Sequence, residues 1–201
     1  MAAARRLYAT QGLGVSMAAI AREADVGKAT LSRRFATREE LISAVFAGRM
    51  DAYSAATTRA LADPDPWNGF VGYLTEVCQM QADDRGFAGL LTMTFHGAQA
   101  LETRRQQAYE GFLHIIDRAR DTGHLRDDFT SADLVLVFMA NAGVITALDH
   151  DAPTGWQRLL GHLLRAFANP HAPQPPMPPA PDHHSLYQAM ARLGTLAPTP
   201  K

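Results

Sequence analysis

The 201-residue chain has one cysteine, Cys78. No internal disulfide is therefore possible, and a reducing, cytoplasmic setting is expected. No run of alternating β-branched residues marks a strand. The opening MAAARRLYAT passes directly into an amphipathic pattern, without a long apolar stretch or a small-residue cleavage site. Neither a signal peptide nor a membrane partner is expected from it. Also missing are His-Glu-x-x-His, Gly-x-Ser-x-Gly, a phosphate-cradling glycine loop, a cysteine pair and any internal repeat. These gaps leave no catalytic residue, metal set or cofactor to assign, and they point away from an enzyme.

What is present is helical periodicity. Apolar residues return every three or four positions almost throughout, so the fold class is expected to be all-α. An apolar share of 47% suits a small reader module joined to a larger partner domain. The first helix spans about Ala2 to Gln11 and stops at Gly12. Ser16 is placed to cap a second helix, with Val15 and Ile20 as a hydrophobic staple. Asp25-Val26-Gly27 breaks that helix, and a short third one follows from Lys28 to Phe35, with Leu31 and Phe35 facing inward. Thr37 and Glu40 form a capping box for a fourth helix reaching about Thr57. Asp63-Pro64-Asp65-Pro66 reads as a turn. Further helices are expected over about Trp67 to Asp84, Glu102 to Thr122, Ser131 to Asp149 and Thr154 to Phe167, with shorter apolar segments from Phe87 to His96. Seven of the 12 prolines fall between Pro170 and Pro181, which predicts an extended linker. After it, either a short helix anchored by Leu186 and Met190 or a disordered end is expected. The implied divisions are residues 1–46, 47–169 and 170–201.

Charge is unevenly shared. The net value of −1 conceals +4 over residues 1–50 and −5 over the rest. A basic head on an acidic body fits a protein that meets phosphate at one end. Two short helices joined by a tight turn, the second carrying basic and hydroxyl residues, form a helix-turn-helix suited to a DNA major groove.

The run from Ser16 to Leu41 resembles the TetR-type regulators. Ile20-Ala21, Ala24, Val26, Lys28, Thr30-Leu31, Phe35 and Glu40-Leu41 stand at the spacing of that family's I-A-x-x-A-G-V-S-K-x-T-L-Y-x-x-F motif and the loop after it. Arg38 stands where a lysine is usual. Three positions depart from the pattern: Asp25 replaces the turn glycine, Gly27 the serine that caps the recognition helix, and Ser32 the tyrosine that contacts phosphate. Asp25 is compatible with a left-handed turn. The residues expected to face double-stranded DNA are Lys28, Thr30, Ser32, Arg33, Arg34 and Arg38. Thr30 and Arg33 are expected to read bases, and the others to hold phosphates.

One such head buries too little surface for specific binding, so a homodimer is implied. The segment from Leu134 to Leu148 carries no charge and must be covered on every side. The resemblance implies a four-helix seam between subunits, which assigns Leu134, Phe138, Ile145, Trp156, Leu160, Leu163 and Phe167 to the interface. It also implies a cavity for a small-molecule effector. Trp67, Tyr73, Met80, Met93, His96, Phe112, Phe138 and Asn141 are the leading candidates to line it, with Tyr109 and Met139 in a wider apolar set. His96, Asn141 and Thr146 are singled out because a polar group within an apolar stretch needs a partner. The resulting expectation is an N-terminal three-helix DNA-binding domain plus a C-terminal helical effector-binding and dimerisation domain. It would act as a repressor released from its operator by a small, largely apolar effector. Two alternatives stand beside it: a helical metal-binding enzyme, for which Glu110, His114 and Asp117 share a helix face, and an interaction module with a degenerate head.

Overall fold

The computed structural model describes residues 1–92 and 99–196. The described residues form helices and connecting loops without strands, apart from one isolated antiparallel bridge between Leu125 and Ala168. The elements are α1 (Ala2–Gln11), α2 (Met17–Glu23), α3 (Lys28–Arg34), α4 (Arg38–Ala62), α5 (Pro66–Asp83), α6 (Arg85–Thr92), α7 (Gln99–Asp121), α8 (Ser131–Leu148), α9 (Gly155–Phe167) and α10 (His183–Leu196). All-α architecture follows the periodicity closely.

Side chains supply the helix starts. The Ala19 amide donates to the Ser16 hydroxyl at 3.2 Å and the Glu40 amide to Thr37 at 3.1 Å, each satisfying a donor that the first turn leaves free. Glu40 reaches back to accept from the Ala36 amide at 2.8 Å. Some boundaries differ from expectation, two of them for identifiable reasons. Pro66, read as part of the turn, is the first residue of α5, where its missing N–H costs nothing. Asp65 caps that helix by accepting from the Trp67 and Asn68 amides. α4 continues past Thr57 to Ala62, because Thr57 turns into the core and its hydroxyl donates to the Tyr53 carbonyl.

α4 is the shared spine, running unbroken through residue 46 from the head into the body. On the head side, Phe46 stacks on Tyr8 with ring centroids 5.9 Å apart, and Arg5 donates to the Val45 carbonyl at 2.8 Å. On the body side it packs along α5 and α7. A Cβ on Gly111 of α7 would lie 2.3 Å from Thr57 Cγ2, so only glycine lets these helices approach so closely. α5 lies at the centre of the body, touching α4, α6, α7, α8 and α9.

The proline-rich segment is not a loose linker. Trp67 Nε1 donates to the Pro173 carbonyl at 2.9 Å, Arg165 to the Pro175 carbonyl at 3.5 Å and Arg158 to the Pro178 carbonyl at 2.7 Å. The last two anchors step backward along α9, so the strap runs antiparallel to it and delivers α10 to the end of α8.

Candidate nucleic-acid interface and effector cavity

The tight turn between α2 and α3 places Asp25 at φ 53°, the left-handed conformation that a short polar side chain tolerates. Gly27 caps α3 through its backbone alone. No residue of α3 is fully buried. Leu31 is the half-buried member of the helix and packs against the core together with Phe35 just past its end. Lys28, Thr30, Ser32, Arg33 and Arg34 are all exposed. At 100° per residue, Ala29, Thr30 and Arg33 lie opposite Leu31 and Phe35. Arg33 Nη2 sits 3.5 Å from the Thr30 hydroxyl, which brings the two residues expected to read bases together. Arg34 is drawn aside over the Phe35 ring, 5.6 Å from its centroid. Arg38, half-exposed at the start of α4, lies 3.5 Å from Glu39. All six are thus exposed or half-exposed, with Thr30 and Arg33 side by side.

A cavity of about 180 Å³ opens in the body between α4, α6, α7 and α8, lined by Tyr53, Leu91, Gln106, Tyr109, Leu134, Val135 and Phe138. Of the eight leading lining candidates, Phe138 is in its wall, and Tyr109 joins it from the wider set. Met93 and His96 lie outside the described residues. The remaining five are buried elsewhere for identifiable reasons. Trp67 stacks on Phe70 and holds the strap. Tyr73 stacks on Phe112 and donates to the Tyr53 hydroxyl at 3.0 Å. Met80 is core. Asn141 donates to the Cys78 carbonyl at 3.2 Å and to Gln81 Oε1 at 2.8 Å, while Gln81 donates to the Phe138 carbonyl at 3.2 Å. This is an amide network joining α5 to α8, in which buried polar groups satisfy one another. Thr146 is exposed. Sequence reasoning missed Tyr53, Leu91, Gln106, Leu134 and Val135 as lining, since nothing local marks an exposed glutamine or an apolar residue on a helix as facing a cavity.

Burial controls the ionisable groups inside. The Cys78 thiol is pushed up to about 12 by desolvation, and so stays protonated and inert near neutrality. Tyr8 rises to about 12, chiefly by burial against a smaller opposing effect of Arg38, and Tyr73 is raised well above its ordinary value by burial and then by Tyr53. Glu110, His114 and Asp117 are exposed; Glu110 accepts from Gln106 and Asp117 lies 3.6 Å from Arg120. Among the described residues no three His, Cys, Asp or Glu side chains are grouped to hold a metal.

The residues expected at the interface differ in exposure. Leu134, Phe138, Ile145, Trp156 and Leu160 are buried within this chain, and Leu163 and Phe167 are half-buried against its core. The face that α8 leaves open consists of Ala132, Val135, Leu136, Met139, Ala140, Gly143 and Thr146. A segment that is apolar on both faces gives no cue as to which is turned inward.

Residues 1–45 match the family model described as bacterial regulatory proteins, tetR family. Residues 65–165, half of the chain, match the model for the C-terminal domain of SbtR-like transcriptional regulators. No curated protein sequence matches. Among solved structures, the TetR transcriptional regulator SCO0520 from Streptomyces coelicolor is 28% identical over 84% of this chain and 96% of its own, with a TM-score of 0.50. The regulator FadR from Bacillus subtilis, in complex with stearoyl-CoA, is 14% identical over 84% and 95%, with a TM-score of 0.59. RolR, in complex with resorcinol, is 22% identical over 87% and 92%, with a TM-score of 0.51. With a helix-turn-helix at one end and the matching helical body at the other, the chain belongs to the TetR family of transcriptional regulators.

Proposed function

We propose that the protein is a two-fold dimeric repressor whose α3 helices enter successive major grooves of an operator, and which a compact, largely apolar effector releases. The observation that carries this reading is the division of α3, with Leu31 packed on the core and Thr30 and Arg33 together on the opposite, open side. Lys28, Ser32, Arg34 and Arg38 flank that pair and would hold phosphates, while Thr30 and Arg33 would meet base edges.

The open face of α8 supports the dimer. It is apolar, without charge from Leu134 to Leu148, and two copies pressed together along it would set two heads side by side. By length and composition α8 also suffices to cross a bilayer, but its inner face packs on α5, α6 and α9, as the helix of a folded body does.

The cavity of about 180 Å³ bears on the effector's chemistry. Its walls combine apolar side chains with Tyr53, Tyr109 and Gln106, so an aromatic compound with one or two polar substituents fits them. Resorcinol, bound by RolR, is of that class. Release requires the effector to prefer the arrangement that does not bind DNA.

Fluorescence anisotropy on DNA from upstream of the gene, at several salt concentrations, tests the reading. Nanomolar sequence-specific binding with a steep negative salt slope, lost on Arg33→Ala, is expected. Binding indifferent to both Arg33→Ala and Arg34→Ala would overturn the assignment to α3.

A further inference from the structure

We infer that the groove between α5, α9 and the proline strap is a second ligand site, for an elongated uncharged molecule that carries an N–H or O–H donor. It shares no lining residue with the cavity proposed for the effector, and so stands apart from that reading.

The groove exists because the strap seats on one helix and stands off the other. Gly161 of α9 lets it down, since a Cβ there would lie 3.0 Å from both Met177 Sδ and Pro178 Cδ. Arg165 and Arg158 of the same helix hold the Pro175 and Pro178 carbonyls. The facing row of α5 turns its polar groups to its own helix. There the Thr75 hydroxyl donates to the Val71 carbonyl at 2.8 Å, and Gln79 Nε2 donates to Asp83 at 2.8 Å. A space of about 270 Å³ is left between strap and α5, against about 180 Å³ for the other cavity.

Two helical rows give the site its length. Val71, Thr75 and Gln79 form one, and the buried Trp156, Leu160 and Leu164 the other. Each row is roughly 12 Å long at ~1.5 Å per residue. The indole, the leucines and the proline rings of the strap offer apolar faces to the body of a ligand.

The walls select by charge and by hydrogen bonding. Among the described residues no Asp, Glu, Lys or Arg lines the groove, so a charged group would lose its hydration there without gaining a counter-ion. Past Val71 and Pro175 the hollow continues to the turn before α5, where Asp63 and Asp65 stand on its rim. These carboxylates are engaged by the Asp65, Trp67 and Asn68 amides, and they repel an anion entering from that end. Pro175, Pro176 and Pro178 have no backbone N–H, so the strap wall accepts hydrogen bonds and gives none. A ligand that reaches this wall must supply the donor.

N-phenylnaphthylamine, an elongated uncharged arylamine with one N–H, is the probe, and its own emission reads binding to the full chain. Saturable binding in the micromolar range is expected. Thr75→Arg, at an exposed position of α5, should weaken it about tenfold or more by crowding the groove with a charged side chain, with helix content by circular dichroism unchanged. Gln106→Arg, which puts the same side chain in the other cavity, should leave the affinity as it is. On the wild-type chain the N-methyl derivative of the probe, which lacks the N–H, should bind about fivefold more weakly. Anilinonaphthalene sulfonate, the same skeleton with an anion added, should bind about tenfold more weakly. Absence of saturable binding overturns the site. Binding that survives Thr75→Arg also overturns it: loss in Gln106→Arg would then give the probe to the other cavity, and indifference to both would give it to the open face of α8. Equal binding of the three probes overturns the ligand class.

Discussion

The recognition helix α3 and the long apolar helix α8 are read from sequence with very different success. α3 mixes two apolar side chains with five polar ones, and their spacing alone tells which side rests on the core and which is open. α8 is apolar all round, so the same rule returns no direction. Its two faces separate only once α5, α6 and α9 are seen to cover Leu134, Phe138, Asn141 and Ile145. Polarity contrast within a helix, more than hydrophobicity itself, carries orientation.

Substitutions on α8 test that contrast most severely. Phe138→Asp buries a charge without a partner and is expected to cost about 4 kcal/mol or more, visible as loss of cooperative unfolding in urea. Two residues away on the other face, Leu136→Asp should leave the fold intact. Its effect should be on operator affinity, falling about a hundredfold as two linked heads become two separate ones, together with a melting temperature that no longer depends on concentration. Equal effects of the two substitutions on urea stability would erase the distinction between the faces.

On α3 the expected separation is between stability and affinity. Arg33→Ala should weaken specific DNA binding by about 1–3 kcal/mol while moving the unfolding free energy by less than about 0.5 kcal/mol. The smallest effect is on pH dependence. Cys78 and Tyr8 both have folded values near 12, against 9.0 and 10.0 when exposed. Their protonated forms are favoured by folding, so the stability they confer is complete below about pH 9 and is lost as pH rises towards 12. Urea midpoints should be level from pH 7 to 8.5 and fall beyond pH 9, and Cys78→Ala should delay the fall.

Much of the head was legible because its signals are local. Ser16, Thr37 and Glu40 cap helices that begin within a few residues of them, and the left-handed Asp25 stands where the turn demands it. The body is legible as helices but not as a site. Tyr53, Leu91, Gln106 and Tyr109 meet around one cavity from three helices, and no short-range spacing encodes such a meeting. Trp67 illustrates the converse. Its aromatic character marked it for a ligand, yet its indole N–H is taken by a strap carbonyl more than 100 residues away in the chain.

The unbroken course of α4 has a mechanical consequence. Tyr53, in the cavity wall, and Arg38, beside the recognition helix, ride on one rigid rod, separated by roughly 22 Å at ~1.5 Å per residue. A tilt of about 5° pivoted at the cavity end would swing Arg38 by roughly 2 Å over that length. In a symmetric pair the two swings add or subtract, changing the spacing between heads by up to roughly 4 Å against a groove repeat of about 34 Å. Gly111 of α7 holds the far end of that rod, at Thr57, close against the body.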